Sequence, residues 1–343
     1  MARRALGPAS LAVVQAVQVA LQPSDQSLLV ACSGGADSLA LAFAVRHVAE
    51  RSGMPHAAVV VDHGLQEGST EVAAQVVTTL EGLGYADARL VTATVDPASG
   101  RGLEAAAREA RYRALGAEPP PAGGTAGSRS TVLLGHTRDD QAETVLLGLV
   151  RGSGTRSLAG MAPRVGTLLR PLLGLRRTVT EAVCAELGLR VWQDPQNTEA
   201  RFTRVRVRHR VLPALEAELG PGVADALART AELARDDADL LDALTADADP
   251  GRDDLDCALL LELPRPLRRR LIRRWLLRHG AAELTFEHVL AVEPLVTVWR
   301  GQGPVSVPGR GVVRRHGSLH VEPLHVEPLH GEPRPVESRQ VEA

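Results

Sequence analysis

The chain contains no lysine, so all 39 of the Lys and Arg residues among its 343 residues are arginine. A Walker A loop places a lysine on the nucleotide phosphates. A pyridoxal phosphate enzyme needs a lysine for its Schiff base. The sequence therefore excludes both of these classes of protein.

Cysteine is scarce, because the chain has only Cys32, Cys184 and Cys257, which are far apart and form no CxxC pair. Such spacing supports neither a zinc ribbon nor a disulfide framework. Unpaired cysteines are typical of a reducing compartment, so we expect a cytoplasmic location.

Long apolar runs and an excess of charge are also missing. No run approaches the roughly 20 apolar residues that cross a bilayer, so we expect no membrane partner. The net charge of −2 means that the bulk charge does not mark the molecule as a nucleic-acid binder.

The first half of the chain alternates short apolar strands with helices. The predicted strands are 27–32, 57–61, 88–95 and 131–134, and the predicted helices are 39–50, 71–83, 103–115 and 137–150. This alternation predicts parallel βαβ units in an α/β fold, with an open, mostly parallel, doubly wound sheet.

The second half changes character. From about residue 203 onward helical periodicity dominates, followed by a small hairpin within 305–321. We therefore expect a catalytic domain over 1–215 and a smaller, mainly helical domain over 216–325. The repeats rich in Pro, Glu and His predict a disordered tail over 326–343.

A glycine-rich loop directly follows the first predicted strand, and a helix begins at once. Its residues are Ser33, Gly34, Gly35, Ala36, Asp37 and Ser38. Glycines let backbone N–H groups approach an anion closely, and the start of a helix adds further unpaired N–H groups. A carboxylate beside phosphates would repel them unless it carries Mg²⁺, which bridges the two. The loop thus predicts a nucleotide phosphate site with Asp37 as the metal ligand, and an N-capped turn is the alternative.

Two further polar clusters end predicted strands. Asp62 and His63 follow the second strand, where ligands bind in open α/β sheets, although an acid there can also cap a helix. Asp139 and Asp140 lie four and three residues before Glu143, so the three acids can share one helical face. Acids this close need a cation, and Mg²⁺ and a cationic substrate are both candidates.

An arginine-rich segment follows Asp194. Its candidate RNA-binding residues are Arg201, Arg204, Arg206 and Arg208, with Phe202 among them. Arginines can hold phosphates and an aromatic ring can stack on a base. A charged solvent-exposed face is the alternative. The two-residue alternation of arginine from Arg204 to Arg210 is that of a strand.

The phosphate loop resembles that of the N-type ATP pyrophosphatases, or PP-loop enzymes. The stretches HTRDDQAETVLLGLVRGSG and DPQNTEARFTRVRVRHRVLPAL narrow the likeness to the tRNA(Ile)-lysidine synthetase family, over about residues 25–215. The same resemblance predicts a helix, not a strand, for the arginine-rich segment. A 2-thiocytidine-type tRNA enzyme on the same fold would need paired cysteines, and a non-catalytic nucleotide-binding regulator is a third alternative.

The resemblance implies an AMP-forming ligase that uses ATP and Mg²⁺. ATP adenylates the wobble cytidine of an isoleucine tRNA, and free lysine then displaces AMP. The residues implied to surround the reacting groups are Asp37, Arg111, Asp139, Asp140, Glu143 and Asp194. Asp139 or Asp140 would hold the ammonium of lysine, and the four arginines would hold the anticodon stem-loop. A homodimer is a possible oligomeric state.

Overall fold

The computed structural model describes residues 6–62, 64, 68–93, 110, 113, 115, 130–152 and 154–323. The predicted tail 326–343, nearly all of the predicted helix 103–115, and the candidate residues His63 and Arg111 lie outside these ranges. The chain divides into two units between Asp236 and Asp237. This division falls within a helix, Val223–Asp247, whereas the sequence placed the boundary after residue 215.

The first unit is built on a six-stranded sheet with the strand order β3-β2-β1-β4-β6-β5. Neighbouring strands are parallel from β3 to β6, and only β5 runs antiparallel to its neighbour. The strands are β1 (Leu28–Ala31), β2 (His56–Asp62), β3 (Ala88–Thr92), β4 (Thr131–Leu134), β5 (Arg164–Val165) and β6 (Leu168–Leu169). The predicted mostly parallel α/β sheet is confirmed, and the β5–β6 hairpin is an addition that the sequence reasoning missed.

Helices alternate with these strands along the chain and then follow them. They are α1 (Pro8–Ala20), α2 (Ala36–Ser52), α3 (Ser69–Gly82), α4 (Arg138–Val150), α5 (Thr155–Leu158), α6 (Arg177–Leu187), α7 (Thr203–Arg206), α8 (Leu212–Leu219) and α9 (Val223–Asp247). Helix α2 is nearly surrounded, because it packs on the sheet and on α1 and α6. Its run Leu39–Ala42 is at most 1% exposed, which anchors the loop that precedes it.

The chain order creates a switch point in the middle of the sheet. Strands β2 and β3 lie on one side of β1, and β4 lies on the other. Crevices at the carboxyl ends of such strands are where open α/β sheets bind ligands. The loops after β1 and β4 meet there, because a Cβ built on Gly135 would lie 3.0 Å from the backbone of Asp37 and Ser38. The two sequence motifs are therefore neighbours in space.

The second unit combines helices with a four-stranded antiparallel sheet of order β7-β10-β9-β8. Its elements are β7 (Leu255–Asp256), α10 (Cys257–Glu262), α11 (Arg265–Arg278), α12 (Phe286–Val292), α13 (Pro294–Thr297), β8 (Val305–Val307), β9 (Arg310–Arg315) and β10 (Ser318–Pro323). Trp275 and Ile272 are fully buried in its core with Val312 and Leu319. The predicted hairpin is confirmed, and it belongs to a larger sheet.

In the part of the chain that the structure describes, no helix is both long enough and apolar enough to cross a membrane.

Candidate active site

The phosphate loop is held open by its glycines. Gly34 has a φ of +82°, and a Cβ there would lie 2.5 Å from the Val76 side chain, so no larger residue fits. Gly35 is the N-cap of α2, which leaves the unpaired N–H groups of the first helical turn directed at the loop. The predicted anion cradle therefore has the backbone that such a site requires.

The two serines of the loop contact each other. The Ser38 hydroxyl donates to the Gly35 carbonyl at 2.9 Å and accepts the Ser33 N–H at 3.1 Å. The Ser33 and Ser38 hydroxyls are 3.3 Å apart. Ser38 thus fixes the loop's shape in this structure, and direct donation to a phosphate stays a prediction.

A second segment runs along the phosphate loop. The Trp192 N–H donates to the Gly34 carbonyl at 2.9 Å, and half-buried Asp194 follows two residues later. The chain therefore lies against the phosphate loop two residues before Asp194, which is predicted to act near the reacting groups.

Helix α4 begins with a capping box that orients one of the predicted acids. Asp140 Oδ2 accepts the N–H and the hydroxyl of Thr137, both at 2.8 Å. Thr137 Oγ1 faces the Asp140 N–H in return. Asp140 Oδ1 then points away from the cap, next to Glu143, which is fully buried.

Two arginines supply the positive charge that these acids need. Arg208 binds Glu143 at 2.6 and 3.0 Å and Asp140 at 2.9 Å. Arg177 binds Asp140 at 2.7 Å and Asp37 at 3.1 Å, and it lies 3.8 Å from Glu143. The sequence suggested Mg²⁺ or a cationic substrate as the source of this charge, whereas in the structure two side chains of the protein supply most of it.

Burial and ion pairing set the protonation of the acids. Burial raises the pKa of Asp37 above its usual range, and Arg177 offsets only part of this effect. Burial also raises the pKa of Glu143, against the opposing effect of Arg208. For Asp140, Arg177, the Thr137 N–H and Arg208 together outweigh burial, so its pKa is lowered. Asp140 is therefore the most securely ionised member of the cluster.

Two other predicted site acids are engaged in holding the fold. Asp139 accepts the backbone N–H of Arg177 at 2.8 Å and faces Arg176, so it caps α6. Asp62 accepts the Gly64 N–H at 2.9 Å and the Thr70 hydroxyl at 2.7 Å, which links the end of β2 to the first turn of α3. Their predicted roles toward lysine and ATP remain untested.

The arginine-rich segment is helical, so the family-based prediction is confirmed and the strand pattern is misleading. Between α7 and α8 lies a π-helical turn, Val207–Val211, in which the Leu212 N–H bonds to the Val207 carbonyl. Pro213 gives a reason, because a proline ring inside a regular helix clashes with the carbonyl four residues earlier. Such turns are frequent at functional sites, and this one carries Arg208.

The four predicted RNA-binding arginines have different surroundings. Arg208 faces the acids, Arg206 bonds to the Ala200 and Arg201 carbonyls, and Arg204 approaches Thr144 at 3.4 Å. Arg201 is exposed, stacks over Phe202 and pairs with Glu199. Of the four, Arg201 is the one most accessible to a large ligand.

Sequence reasoning missed Arg177 and Thr180. The Thr180 hydroxyl donates to Asp37, and both residues lie on α6, about 140 residues further along the chain. One signal was present: Arg176 and Arg177 occupy the start of a helix, where the macrodipole disfavours positive charge. A cation placed there against this preference suggests a nearby cluster of acids.

Two cysteines lie behind the phosphate loop. Cys32 Sγ is 3.5 Å from the Ser38 hydroxyl, and Cys184 Sγ is 3.6 Å from the Ala36 carbonyl. Burial raises the pKa of both thiols, that of Cys184 to about 11. Among the described residues no group of three or more His, Cys, Asp or Glu could hold a metal ion. These thiols are packed and protonated, which gives no support to a sulfur-transfer site.

Comparison with solved structures supports the fold. The structure is similar to the U34-tRNA thiolase NcsA from Methanococcus maripaludis, with a TM-score of 0.51 and 16% identity over 66% of this chain and 80% of that one. An identity this low indicates a shared fold only.

Comparison with protein families and curated sequences is more specific. Residues 10–215 match the PP-loop domain, and residues 255–320 match the TilS substrate binding domain. The tRNA(Ile)-lysidine synthase of Thermobifida fusca is 52% identical over 90% of this chain and 96% of its own length. The enzymes of the same name from Leifsonia xyli and Streptomyces coelicolor are 49% and 50% identical, over 86% of this chain each and over 90% and 85% of their own lengths. The chain belongs to the tRNA(Ile)-lysidine synthase family.

Proposed function

We propose that the protein is an ATP-dependent, AMP-forming ligase that converts the wobble cytidine of the CAU-anticodon isoleucine tRNA to lysidine. The observation that carries the proposal is the meeting of the phosphate loop with the acid and arginine cluster at the switch point of the sheet. Relatives named tRNA(Ile)-lysidine synthase at about half identity support the choice of reaction.

ATP would bind with its phosphates on the loop. The N–H groups of Gly34 and Gly35 and the Ser33 hydroxyl are the donors. Mg²⁺ is usually held by one or two carboxylates together with substrate phosphates. Asp37 fits this role, because it lies in the first turn of α2, two residues after Gly35. The metal would neutralise phosphate charge while pyrophosphate leaves.

Lysine would bind at the acid cluster. Asp140 is ionised and Glu143 is buried beside it, so the two offer an ammonium group a negatively charged site with little competition from water. Arg208, between them, could pair with the lysine carboxylate. Asp139 is a weaker candidate than Asp140, because its carboxylate already caps α6.

The tRNA would contact exposed arginines near the cluster. Arg201 with Phe202 offers a cation and a ring, and exposed Arg210 lies within the π turn. An unpaired loop base can leave its stack and enter a pocket, as the wobble cytidine must. A homodimer and a cytoplasmic location stay predictions.

Release of AMP tests the adenylation step. The protein is incubated with ATP, Mg²⁺, lysine and an isoleucine tRNA transcript bearing either CAU or UAU as its anticodon. We expect one AMP and one pyrophosphate per modified CAU transcript and background release with UAU. Equal release with both transcripts, or none with either, would contradict the proposal, and the second outcome would favour a nucleotide-binding regulator.

A further inference from the structure

Every carboxylate oxygen of Asp37, Asp140 and Glu143 accepts a hydrogen bond from the protein. Asp37 is held by Thr180 and Arg177, Asp140 by Thr137, Arg177 and Arg208, and Glu143 by Arg208 at both oxygens. Each carboxylate oxygen has two lone pairs, so a magnesium ion or a lysine ammonium that binds these acids must share them with, or displace, donors that are already there.

Arg177 is the donor whose removal would open the cluster. Its guanidinium lies within 4 Å of all three acids, at 3.1 Å from Asp37, 2.7 Å from Asp140 and 3.8 Å from Glu143. Arg208 contacts Asp140 and Glu143. Arg177 thus links the predicted metal ligand to the predicted lysine site.

The charges explain why Arg177 would move when nucleotide binds. Three carboxylates and two guanidinium groups leave the ligand-free cluster with at most one net negative charge. Adding Mg²⁺ while both arginines stay in place would crowd positive charge around Asp37. If ATP phosphates lie on the adjoining loop, the planar guanidinium of Arg177 can bond to two phosphate oxygens instead of to the carboxylate.

We propose that Arg177 is an internal counter-ion that competes with Mg²⁺ and with the lysine ammonium for these acids until nucleotide phosphates draw its guanidinium away. Arg177 is then a positioning residue that makes cation binding depend on ATP. The inference rests on the proposed function for the identity of the nucleotide, but its main test needs neither tRNA nor turnover.

The test measures the affinity of the full chain for Mn²⁺ without nucleotide, with electron paramagnetic resonance as the readout. We compare wild type with Arg177→Gln and with Arg177→Met, a second variant in case the first does not fold. We expect both variants to bind Mn²⁺ about tenfold or more tightly than wild type, because a nearby competing charge is gone. Arg177→Lys, which keeps the charge, should bind Mn²⁺ as weakly as wild type.

Arg164→Gln is the matched control. Arg164 also forms a two-bond ion pair with a buried acid, Asp25, but at the other end of the sheet. Its loss should leave Mn²⁺ affinity unchanged. If Arg177→Gln and Arg177→Met bind Mn²⁺ no more tightly than wild type, Arg177 only braces the cluster and the inference is overturned.

A second measurement separates this inference from the proposed function. ATP binding in excess EDTA should weaken about tenfold in Arg177→Gln, because a cation near the phosphates has been removed. Absence of ATP binding even in wild type with Mg²⁺ would count against the proposed function. Normal ATP binding with unchanged Mn²⁺ affinity in the variants would count against the counter-ion role alone.

Discussion

Asp25 ties together the starts of two central strands, at the opposite end of the sheet from the phosphate loop. Its carboxylate accepts the Thr131 hydroxyl at 2.6 Å and two N–H groups of Arg164 at 2.9 and 2.7 Å. Burial acts to raise the pKa of Asp25, but these bonds and the Gln22 N–H lower it overall. When folding lowers the pKa of an acid, the ionised form of that acid increases the free energy of unfolding.

Asp25→Asn is therefore expected to destabilise the protein by about 3 kcal/mol at neutral pH, as breaking one side of a buried ion pair does. Because the folded pKa is depressed, this contribution is complete above the ordinary Asp pKa of about 4 and is lost as the pH falls below it. Urea unfolding of both proteins from pH 7 to pH 3 measures the difference. A gap that stays constant with pH would contradict the assignment.

Gly135 decides how closely the loops after β1 and β4 can approach. A Cβ there would meet the Asp37 carbonyl and the Ser38 nitrogen at 3.0 Å, and backbone atoms cannot move aside as a side chain does. We expect Gly135→Ala to lower AMP formation about tenfold or more by displacing the loop.

Gly82→Ala serves as the control for this substitution, because nothing lies within 4 Å of a Cβ at the end of α3. It should leave both AMP formation and the melting temperature close to those of wild type. Full activity in Gly135→Ala would show that the two loops tolerate separation.

At the scale of elements, the π turn Val207–Val211 sets where Arg208 points. It sits between two stretches of α-helix and precedes Pro213. Arg206, just before the turn, bonds to nearby carbonyls, whereas Arg208, inside the turn, reaches Asp140 and Glu143. If residues 207–211 formed regular α-helix, the side chains from Arg208 onward would point in directions different from those observed.

Pro213→Ala removes the residue that disfavours a regular helix at this point. We expect the melting temperature to hold or rise, while AMP formation falls because Arg208 no longer meets both acids. Assays of unfolding and of AMP release on the same preparation measure the two effects. Unchanged activity would mean that the π turn is not needed for the site.

The exposed and the half-buried arginines of this segment are expected to have different effects on tRNA binding. Replacing Arg201 and Arg210 by Ala should weaken tRNA binding and flatten its salt dependence by about one to two units of slope. ATP affinity should not change, since neither side chain lies in the described acid cluster. Arg206→Ala, whose guanidinium bonds to backbone carbonyls, is the comparison and should change stability more than the salt slope.

Filter binding of the tRNA across a salt series, with ATP binding measured in parallel, provides both readouts. An unchanged slope in the Arg201 and Arg210 double variant would reject this surface as the tRNA contact.

At the scale of the whole molecule, the parts that the sequence predicted are those fixed by local pattern. Alternating strands and helices predicted the sheet, and the glycines after β1 predicted a tight turn before a helix. Asp140 and Glu143 were expected to share one helical face because they lie three residues apart. Such features need only neighbouring residues, so they can be read from the order of the chain. The binding roles of the loop and of these acids stay predictions.

Features that depend on distant contacts could not be read in this way. Arg177 meets Asp37 across 140 positions, and in a chain whose only strong cation is arginine it looks like any surface residue. The sequence pattern groups Arg208 with the arginines predicted to bind tRNA, and its contact with Glu143 is visible only in the structure. Its role toward tRNA stays a prediction. The contacts of Asp62 with Thr70 and of Asp139 with the Arg177 N–H are likewise visible only in three dimensions.

The most direct test of the account is mass spectrometry of the nucleosides of a CAU-anticodon isoleucine tRNA incubated with the protein, ATP, Mg²⁺ and isotope-labelled lysine. We predict that cytidine at the wobble position gains the mass of labelled lysine less one water, and that Asp37→Asn, which lacks the metal-binding charge, abolishes this gain. An unmodified cytidine, or one carrying sulfur in place of oxygen, would contradict the account.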